Sequence, residues 1–285
     1  MTTPRTLSVG VVTDEISRAL PEALEAAQAW GLSRVELREG ARHRFPYLAP
    51  GEFAAVDAWR RGGGEVTAVS PGLFKASVAD YARLRHDLDE VLPRSVERAA
   101  QLGAPMLIVF GFERGAAEPP ENRRRVLSAL AAAAELAAEA GLLVAVENEP
   151  GFWVDHPEAS MELIREVDHP ALGLNWDPAN LHWGGRRPTP ADVRTVAPAL
   201  LNVHVKDYGA GRPEAPWWPV GAGETPWASL LGSLLRDTGI GAVTLETHCD
   251  PPAESSFASL AALRRLIAAA EVSAAEVSAA STPVR

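Results

Sequence analysis

Hydrophobic and polar positions follow two alternating patterns along the chain. Short apolar runs rich in Val, Leu and Ile are separated by longer segments with apolar residues at helical spacing. The short runs predict eight strands, at Leu7–Val12, Arg34–Leu37, Val66–Ser70, Met106–Phe110, Leu142–Glu147, Leu172–Trp176, Asn202–Lys206 and Ala242–Glu246. The longer segments predict helices at Pro21–Trp30, Gly51–Arg61, Tyr81–Leu102, Glu121–Ala140, Pro157–Val167, Pro190–Ala199, Trp227–Thr238 and Ser255–Ala270.

Strands that alternate with helices from end to end predict parallel βαβ units. Glycine ends several of the helical segments, as at Gly103 and Gly141, and Pro93 predicts a kink or a break in the third long helix. Eight units without a shift in composition favour a closed (β/α)₈ TIM barrel, predicted as one domain over residues 1–270. Residues 271–285 carry the tandem repeat AEVSA and are predicted to form a flexible C-terminal tail.

Composition and charge narrow the classes of partner. The net charge of −10 argues against a nucleic acid or an anionic membrane, because both need clustered Lys and Arg. Cys249 is the single cysteine, so the sequence predicts no intrachain disulfide and a reducing compartment. The start of the sequence has no signal-like apolar stretch, and no run reaches the length of a membrane span. These features predict a cytoplasmic protein.

Four consecutive predicted strands, the fifth to the eighth, deliver acidic or imidazole side chains to one end of the barrel. They are Glu147, Asp177, His204 and Glu246. Each has an ordinary structural explanation alone: an ion pair, a helix cap or a buried histidine. Together, three converging carboxylates repel one another unless a cation lies between them. Carboxylates with one imidazole suit Mn²⁺ best here, with Mg²⁺, Co²⁺ or Zn²⁺ as alternatives.

Several motifs at the predicted strand ends carry a resemblance to a known family. They are TDEIS at 13–17, VELRE at 35–39, VENEP at 146–150, NWDPAN at 175–180, HVKD at 204–207, PVGAGETPW at 219–227 and LETH at 245–248. Over roughly residues 7–268 the chain resembles the sugar phosphate isomerase/epimerase family of xylose isomerase-like TIM barrels. That superfamily also includes inosose dehydratases, ketose 3-epimerases and endonuclease IV.

The resemblance implies that Glu147, Asp177, His204 and Glu246 bind one divalent metal ion and that the two glutamates form the acid/base pair. It implies a sugar or keto-polyol isomerase or epimerase that transfers a proton through a metal-stabilised enediolate. A lyase or dehydratase would share the first half of that reaction and is the alternative. A zinc phosphodiesterase or a non-catalytic sugar-binding subunit is less favoured. Dimers and tetramers occur in similar barrels, so a homo-oligomer is expected by analogy alone, and the sequence itself does not determine the oligomeric state.

Further rim residues are candidates for substrate binding: Glu36, Lys75, Asn180, His182, Lys206, Arg212, His248 and Trp176. Asn180 stands where many superfamily members have a histidine, and an amide neither shuttles a proton nor binds a metal as well. Tryptophans near the predicted rim, among them Trp176, Trp183 and Trp217, suit the apolar faces of a sugar. Core packing or a dimer contact explains them equally well.

Overall fold

The structure, a computed structural model, describes residues 6–211 and 214–280. Its centre is a closed barrel of eight parallel strands, in which each strand pairs with its neighbours along the chain and the first pairs with the last. The strands are β1 (Ser8–Val12), β2 (Arg34–Leu37), β3 (Glu65–Val69), β4 (Met106–Phe110), β5 (Leu143–Glu147), β6 (Leu172–Trp176), β7 (Leu200–Val205) and β8 (Ala242–Leu245). The predicted TIM barrel is confirmed: β2, β4 and β6 have the predicted bounds, and the ends of the other strands differ from the prediction by at most two residues.

Helices surround this barrel. They are α1 (Leu20–Ala29), α2 (Pro50–Arg61), α3 (Tyr81–His86), α4 (Leu92–Gln101), α5 (Pro120–Glu139), α6 (Pro157–Val167), α7 (Pro178–Trp183), α8 (Pro190–Val196), α9 (Trp227–Asp237) and α10 (Pro252–Ala280). Residues 271–280 of the predicted tail therefore continue the last helix, and 281–285 lie outside the described residues. Among the described helices, none is both long and apolar enough to cross a bilayer.

The apolar runs of the strands reflect burial on both faces. Along β4, Met106 and Ile108 point into the barrel, where they pack with Ala68 and Ala145. Leu107 and Val109 alternate with them and join the larger core between strands and helices. Because both faces of a parallel barrel strand are covered, its sequence is continuously apolar rather than alternating.

The predicted interruption at Pro93 is confirmed. The segment from 81 to 101 divides into α3, one wide π-helical turn at Asp87–Val91, and α4, in which Pro93 occupies the second position. Proline lacks the N–H that a helix interior needs, and a wider turn before it accommodates the lost hydrogen bond.

After β7, hydrogen bonds join the motif HVKD at 204–207 to the motif PVGAGETPW at 219–227 and fix the loop between them. The carboxylate of Asp207 accepts hydrogen bonds from the backbone N–H groups of Gly221, Gly223 and Thr225, at 2.8, 3.2 and 2.9 Å. A Cβ at Gly223 would lie 2.5 Å from Asp207 Oδ1, so only glycine fits there. Trp227 adds a further hydrogen bond between the two motifs, since its indole N–H donates to the carbonyl oxygen of Lys206.

Candidate metal and substrate site

Four buried side chains meet at the C-terminal end of the barrel: Glu147, Asp177, His204 and Glu246. They come from the ends of β5, β6, β7 and β8, which parallel pairing places side by side. One potential ligand atom from each lies within 4.8 Å of all the others, and none of the four side chains is more than 6% exposed. The structure therefore brings together all four residues that the sequence predicted as metal ligands.

Two asparagines orient Glu147. The side-chain amide of Asn175 donates to Glu147 Oε2 at 3.3 Å, and that of Asn180 donates to Oε1 at the same distance. Asn180 also donates to the carbonyl oxygen of Asn148 at 2.9 Å. Asn180 is thus a buried side chain that orients the Glu147 carboxylate, and it also lines the cavity described below.

Asp177 has two functions in the structure, one for each oxygen. Its Oδ1 caps α7 by accepting the backbone N–H of Asn180 at 2.9 Å. Its Oδ2 faces the centre of the site, 2.9 Å from the Lys206 ammonium. Asn148 fixes the backbone of Asp177 through reciprocal hydrogen bonds of 2.7 and 2.8 Å. Capping and a place in the site are therefore compatible.

Glu36 orients His204. Nε2 of His204 lies 3.0 Å from Glu36 Oε2, while Nδ1 faces Glu147 Oε2 at 3.5 Å and Glu246 Oε2 at 3.2 Å. A carboxylate on Nε2 favours a proton there, so that Nδ1 is the acceptor of the Asn175 amide N–H at 3.1 Å and the nitrogen that a cation would use. Burial alone would lower the pKa of His204, but the surrounding carboxylates raise it well above its usual value. A cation and a proton therefore compete for Nδ1.

Glu246 pairs with two basic side chains, Arg38 and Lys206, one at each carboxylate oxygen. Arg38 Nη1 lies 2.6 Å from Glu246 Oε1, and Lys206 Nζ lies 3.4 Å from Oε2. Burial opposes ionisation, but His204, Lys206 and His248 together lower the pKa of Glu246 well below its usual range. The carboxylates Asp177 and Glu246 likewise raise the pKa of buried Lys206, so this lysine is charged. Oε2 of Glu246 faces the site centre, and Oε1 faces Arg38.

This donor set fits a divalent cation. Two ligands on opposite sides of such an ion, each at about 2.1 Å, lie roughly 4 Å apart, and the four atoms, which lie within 4.8 Å of one another, are close to that spacing. Asp177 Oδ2 is buried, and the one contact described for it is the ion pair with Lys206 Nζ at 2.9 Å. Three carboxylates and one imidazole form a hard, oxygen-rich set that suits Mn²⁺ or Mg²⁺.

A polar cavity of about 240 Å³ opens over these residues. Of the predicted substrate residues, it is lined by Lys75, Asn180, Lys206 and His248. Glu36 is fully buried behind His204, so its observed partner is that imidazole. His182 packs against Tyr208, with ring centroids 4.8 Å apart, and does not line the cavity.

Trp176 is not brought to the cavity either. It neighbours Asn175, whose side chain points inward, so its indole points outward into the core between strands and helices, where it is 1% exposed. At the rim, Trp183 and Trp217 form an edge-to-face pair with centroids 5.5 Å apart, and Lys206 Nζ lies 4.5 Å from the Trp217 ring. Arg212 lies outside the described residues.

The structure adds residues that the sequence reasoning missed, above all Arg38, Glu15 and Arg44. Arg38 donates to Asp14, Glu15 and Glu246, with N···O distances of 2.6 to 2.8 Å. Glu15 binds His248 twice, at the ring Nδ1 and the backbone N–H, and His248 has a left-handed backbone with φ of 53°. Glu15 and Arg38 lie in the motifs TDEIS and VELRE. Their partners His248 and Glu246 follow β8, more than 200 residues further along the chain, so no local pattern indicates these contacts.

Comparisons with known proteins agree with this architecture. A family model described as xylose isomerase-like TIM barrel matches residues 24–266. The 2-epi-5-epi-valiolone 7-phosphate 2-epimerase of Actinoplanes sp. is 29% identical over 184 residues, which cover 61% of this chain and 63% of that protein. The 3-dehydroshikimate dehydratase of Bacillus anthracis is 23% identical over 141 residues, which cover 47% of this chain and 49% of that protein.

The chain thus matches less than two thirds of the length of these curated relatives. A solved structure of an L-ribulose 3-epimerase superposes with a TM-score of 0.80 at 18% identity, covering 97% of this chain and 100% of the other. At that identity the superposition shows a shared fold.

Proposed function

The chain belongs to the xylose isomerase-like TIM barrel family, and from this premise we propose that it is a divalent-metal-dependent sugar or keto-polyol isomerase or epimerase that works by proton transfer. One observation carries the proposal: the ligand atoms of Glu147, Asp177, His204 and Glu246 lie within 4.8 Å of one another, and Glu147 and Glu246 line a polar cavity. A cytoplasmic enzyme with a small-molecule substrate fits this reading. Mn²⁺ is the proposed ion.

The residues divide the work as follows. When bound, a divalent cation supplies Lewis acidity, which makes a C–H bond beside a carbonyl acidic enough to lose its proton. Glu147 and Glu246 are the proposed acid/base pair, one removing the proton and the other returning it. Lys206 offers a fixed positive charge to the oxygen on which negative charge develops. Asn175 and Asn180 hold Glu147 in place.

The relatives support an enzyme of this kind, because one is named as an epimerase. A proton-exchange experiment tests the chemistry directly. Mn²⁺-loaded protein is incubated with ketoses, inososes and 3-keto-glycosides in deuterated water, and the products are read by NMR. An isomerase or epimerase returns an isomer with deuterium at the reacting carbon. No exchange and no product across these classes would contradict the proposal.

Two variants test the assigned base pair. Glu147→Gln and Glu246→Gln keep the shape of the side chain but lose the proton-accepting carboxylate, and removing general acid–base catalysis costs typically about 10²–10⁴-fold. Activity on the substrate found should fall by that order in both. Glu139→Gln, an exposed change on α5, is the matched control. Full activity in either site variant would remove that glutamate from the mechanism.

A second candidate function is a lyase or dehydratase on the same site, and His248 favours it. The imidazole lines the cavity, is one third exposed, and is anchored by Glu15 at 2.9 Å. An elimination needs a group that protonates the leaving oxygen, and a histidine so placed is suited to that task. One relative is named as a dehydratase. In the same NMR experiment, a lyase yields an unsaturated or cleaved product instead of a labelled isomer.

The phosphodiesterase alternative makes a different prediction for metal content. A multinuclear zinc centre needs more histidines than this site offers, and Asn180 stands where a further histidine would be. Elemental analysis of the purified protein should give about one divalent ion per chain. Two or three zinc ions per chain, with hydrolysis of a phosphate ester, would favour the phosphodiesterase. A purely sugar-binding subunit would keep its ligand affinity after metal removal.

A further inference from the structure

One part of the cavity wall is formed by the segments that follow β2 and β3 and is rich in cationic side chains. Arg44 comes from the loop after β2, and Lys75 from the loop after β3. Both line the same cavity as the proposed base Glu147 and the ligand Glu246. The wall therefore lies within reach of a small molecule that occupies the site.

The position of Arg44 is built into the backbone around it. Its Nε donates to the carbonyl oxygen of Ser70 at 2.9 Å, and its Nη2 donates to the Ser70 hydroxyl at 3.1 Å. Gly72 has a positive φ of 77°, and a Cβ at this position would lie only 2.9 Å from Arg44 Nε. A side chain at position 72 would thus displace the guanidinium, so the loop after β3 is shaped to hold it.

The four cations of the cavity differ in how completely they are neutralised. Arg38 binds Asp14, Glu15 and Glu246, and Lys206 lies between Asp177 and Glu246. The charges of Arg38 and Lys206 are therefore neutralised by carboxylates of the candidate metal site and its neighbours. The other two cations are Arg44 and Lys75.

Arg44 and Lys75 have weaker partners. Arg44 Nη1 lies 3.4 Å from Glu39, and Lys75 Nζ lies 3.4 Å from Glu149, whereas a charge-assisted hydrogen bond is typically about 2.7–2.9 Å. Glu39 makes its closer ion pair with Arg18. Since a guanidinium has five N–H donors, Arg44 keeps donors that its described contacts do not use.

The exposure of these two side chains points the same way. The Arg44 side chain is 30% exposed and the Lys75 side chain 51%, whereas Glu147 and Glu246 in the same cavity are buried. Burial and the nearby charge of Arg38 also lower the pKa of Arg44, and an anion beside it would offset that repulsion. Fixed geometry, spare donors and partial exposure are the features of an anion subsite.

We propose that Arg44 and Lys75 bind an anionic group of the substrate, a carboxylate or a phosphate, so that the enzyme acts on an acidic keto-polyol or sugar. This rests on the proposed function, because it names the substrate class of that same site. Arg44 contributes a preorganised fork to two oxygens of the anion, and Lys75 contributes a mobile point charge. The anion fixes one end of the substrate while the carbonyl lies at the metal ligands.

Equilibrium binding to the metal-free protein tests the subsite without turnover. Two matched pairs of probes differ in one anionic group: D-fructose 6-phosphate against D-fructose, and D-gluconate against D-sorbitol. Dissociation constants are measured by titration calorimetry at constant ionic strength, on the full chain, both freed of metal and loaded with Mn²⁺. One or two charge-assisted hydrogen bonds predict that the anionic member of at least one pair binds about tenfold or more tightly.

The variants assign that preference to the two side chains. In Arg44→Met and Lys75→Met the preference should drop severalfold, and in the double variant it should disappear. Arg42→Met, an exposed change in the same loop outside the cavity, is the control and should keep it. Thermal melting shows whether losing the Ser70 contacts unfolds the Arg44 variant, and Lys75→Met, on a half-exposed side chain, tests the subsite independently of that loop.

The outcomes separate cleanly. A preference confined to one pair supports the subsite and identifies the anion as phosphate or carboxylate. Equal affinities within both pairs, no binding of either anionic probe, or a preference that survives in the double variant would each overturn it. A preference that appears only with Mn²⁺ would assign the anion to the metal instead. Since the metal-free protein lacks the ion that the proposed reaction needs, binding to it involves no turnover, and a failure of proton exchange would refute the proposed function and leave this result standing.

Discussion

At the scale of single residues, each carboxylate of the site uses its two oxygens for different contacts. Asp177 caps α7 with Oδ1, and Glu246 accepts from Arg38 with Oε1, so that the other oxygen of each faces the centre. His204 follows the same principle, because Glu36 occupies Nε2 and Nδ1 faces the centre. The donor atoms are thus oriented in the metal-free protein, which would reduce the entropy lost when the proposed cation binds.

The contact between Glu36 and His204 leads to a first prediction. Glu36→Gln keeps a hydrogen-bond acceptor for Nε2 but loses the charge that makes the imidazole a better ligand, and Glu36→Leu loses both. Removing such a partner typically costs about 10–100-fold in metal affinity. We expect a loss near the lower figure for Gln and near the higher for Leu, measured by Mn²⁺ titration calorimetry. Glu65→Gln, an exposed change at the start of β3, should bind Mn²⁺ like the natural chain.

The second prediction concerns Glu15 and pH. Burial alone would raise its pKa, but the hydrogen bond and charge of His248 and the charge of Arg38 lower it to about 2, from 4.5. A lowered pKa means that this stabilisation is complete above pH 4.5 and is lost as the pH falls towards 2. The shift corresponds to about 3 kcal/mol. Glu15→Gln should therefore melt several degrees lower at pH 7.

The difference in melting temperature between the natural chain and Glu15→Gln should shrink steadily from pH 4.5 down to the lowest pH at which both proteins still fold. Differential scanning calorimetry at intervals of half a pH unit measures it. Glu121→Gln on the exposed start of α5 serves as the control and should track the natural chain throughout. A gap that is constant with pH would mean that Glu15 stabilises the fold through packing alone.

At the scale of secondary-structure elements, α7 provides the third prediction. Asn caps helices about as well as Asp, but its neutral amide is a poor ligand for a hard cation. Asp177→Asn should therefore keep the melting temperature of the metal-free protein within a few degrees and lose most Mn²⁺ affinity. Asp177→Ala loses the cap as well, at a cost of roughly 1 kcal/mol. Equal Mn²⁺ affinity in the Asn variant would remove Asp177 from the metal site.

Whether an element could be predicted from the sequence depends on its length and on how it is buried. Strands buried on both faces form continuous apolar runs, so the eight barrel strands were readable. Helix α7 has six residues, fewer than two turns, and the ladder pairing Asp207–Tyr208 with Trp217–Trp218 has two residues a side. Neither is long enough for a period to appear, and both were missed.

The residues of the site also fall into those that the sequence predicts and those that it does not. The four candidate ligands can be predicted from the sequence because each lies at or next to the end of a recognisable strand, and parallel strands end together. Arg38 shares the strand parity of Glu36, so its inward direction was readable, but its partner Glu246 lies 208 residues away. The outward direction of Trp176 follows from the alternation along β6, once Asn175 is known to point inward. Pairings of that range depend on closure of the barrel and leave no local pattern.

At the scale of the whole molecule, the barrel assembles a charged cluster that its own cations balance only in part. Glu36, Glu147, Asp177 and Glu246 are all buried near His204 and Lys206, and Arg38 also binds Asp14 and Glu15. Burying a charge without a partner is costly, so the apo protein retains a repulsion that a divalent cation would relieve. The expected homo-oligomer and cytoplasmic location stay predictions at this scale.

This argument gives the last prediction, that Mn²⁺ stabilises the whole fold. The four ligands lie between residues 147 and 246, and the unfolded chain cannot hold them together, so the ion binds the native state selectively. At a free concentration 100 times its dissociation constant it should add about 2.7 kcal/mol, a rise in melting temperature of roughly 5–10 °C that EDTA reverses. Glu147→Gln should lose most of the rise and Glu139→Gln should keep it. If Mn²⁺ left the natural chain's melting temperature unchanged, the converged carboxylates would have to be a structural ion-pair cluster instead, closed by Lys206 and Arg38.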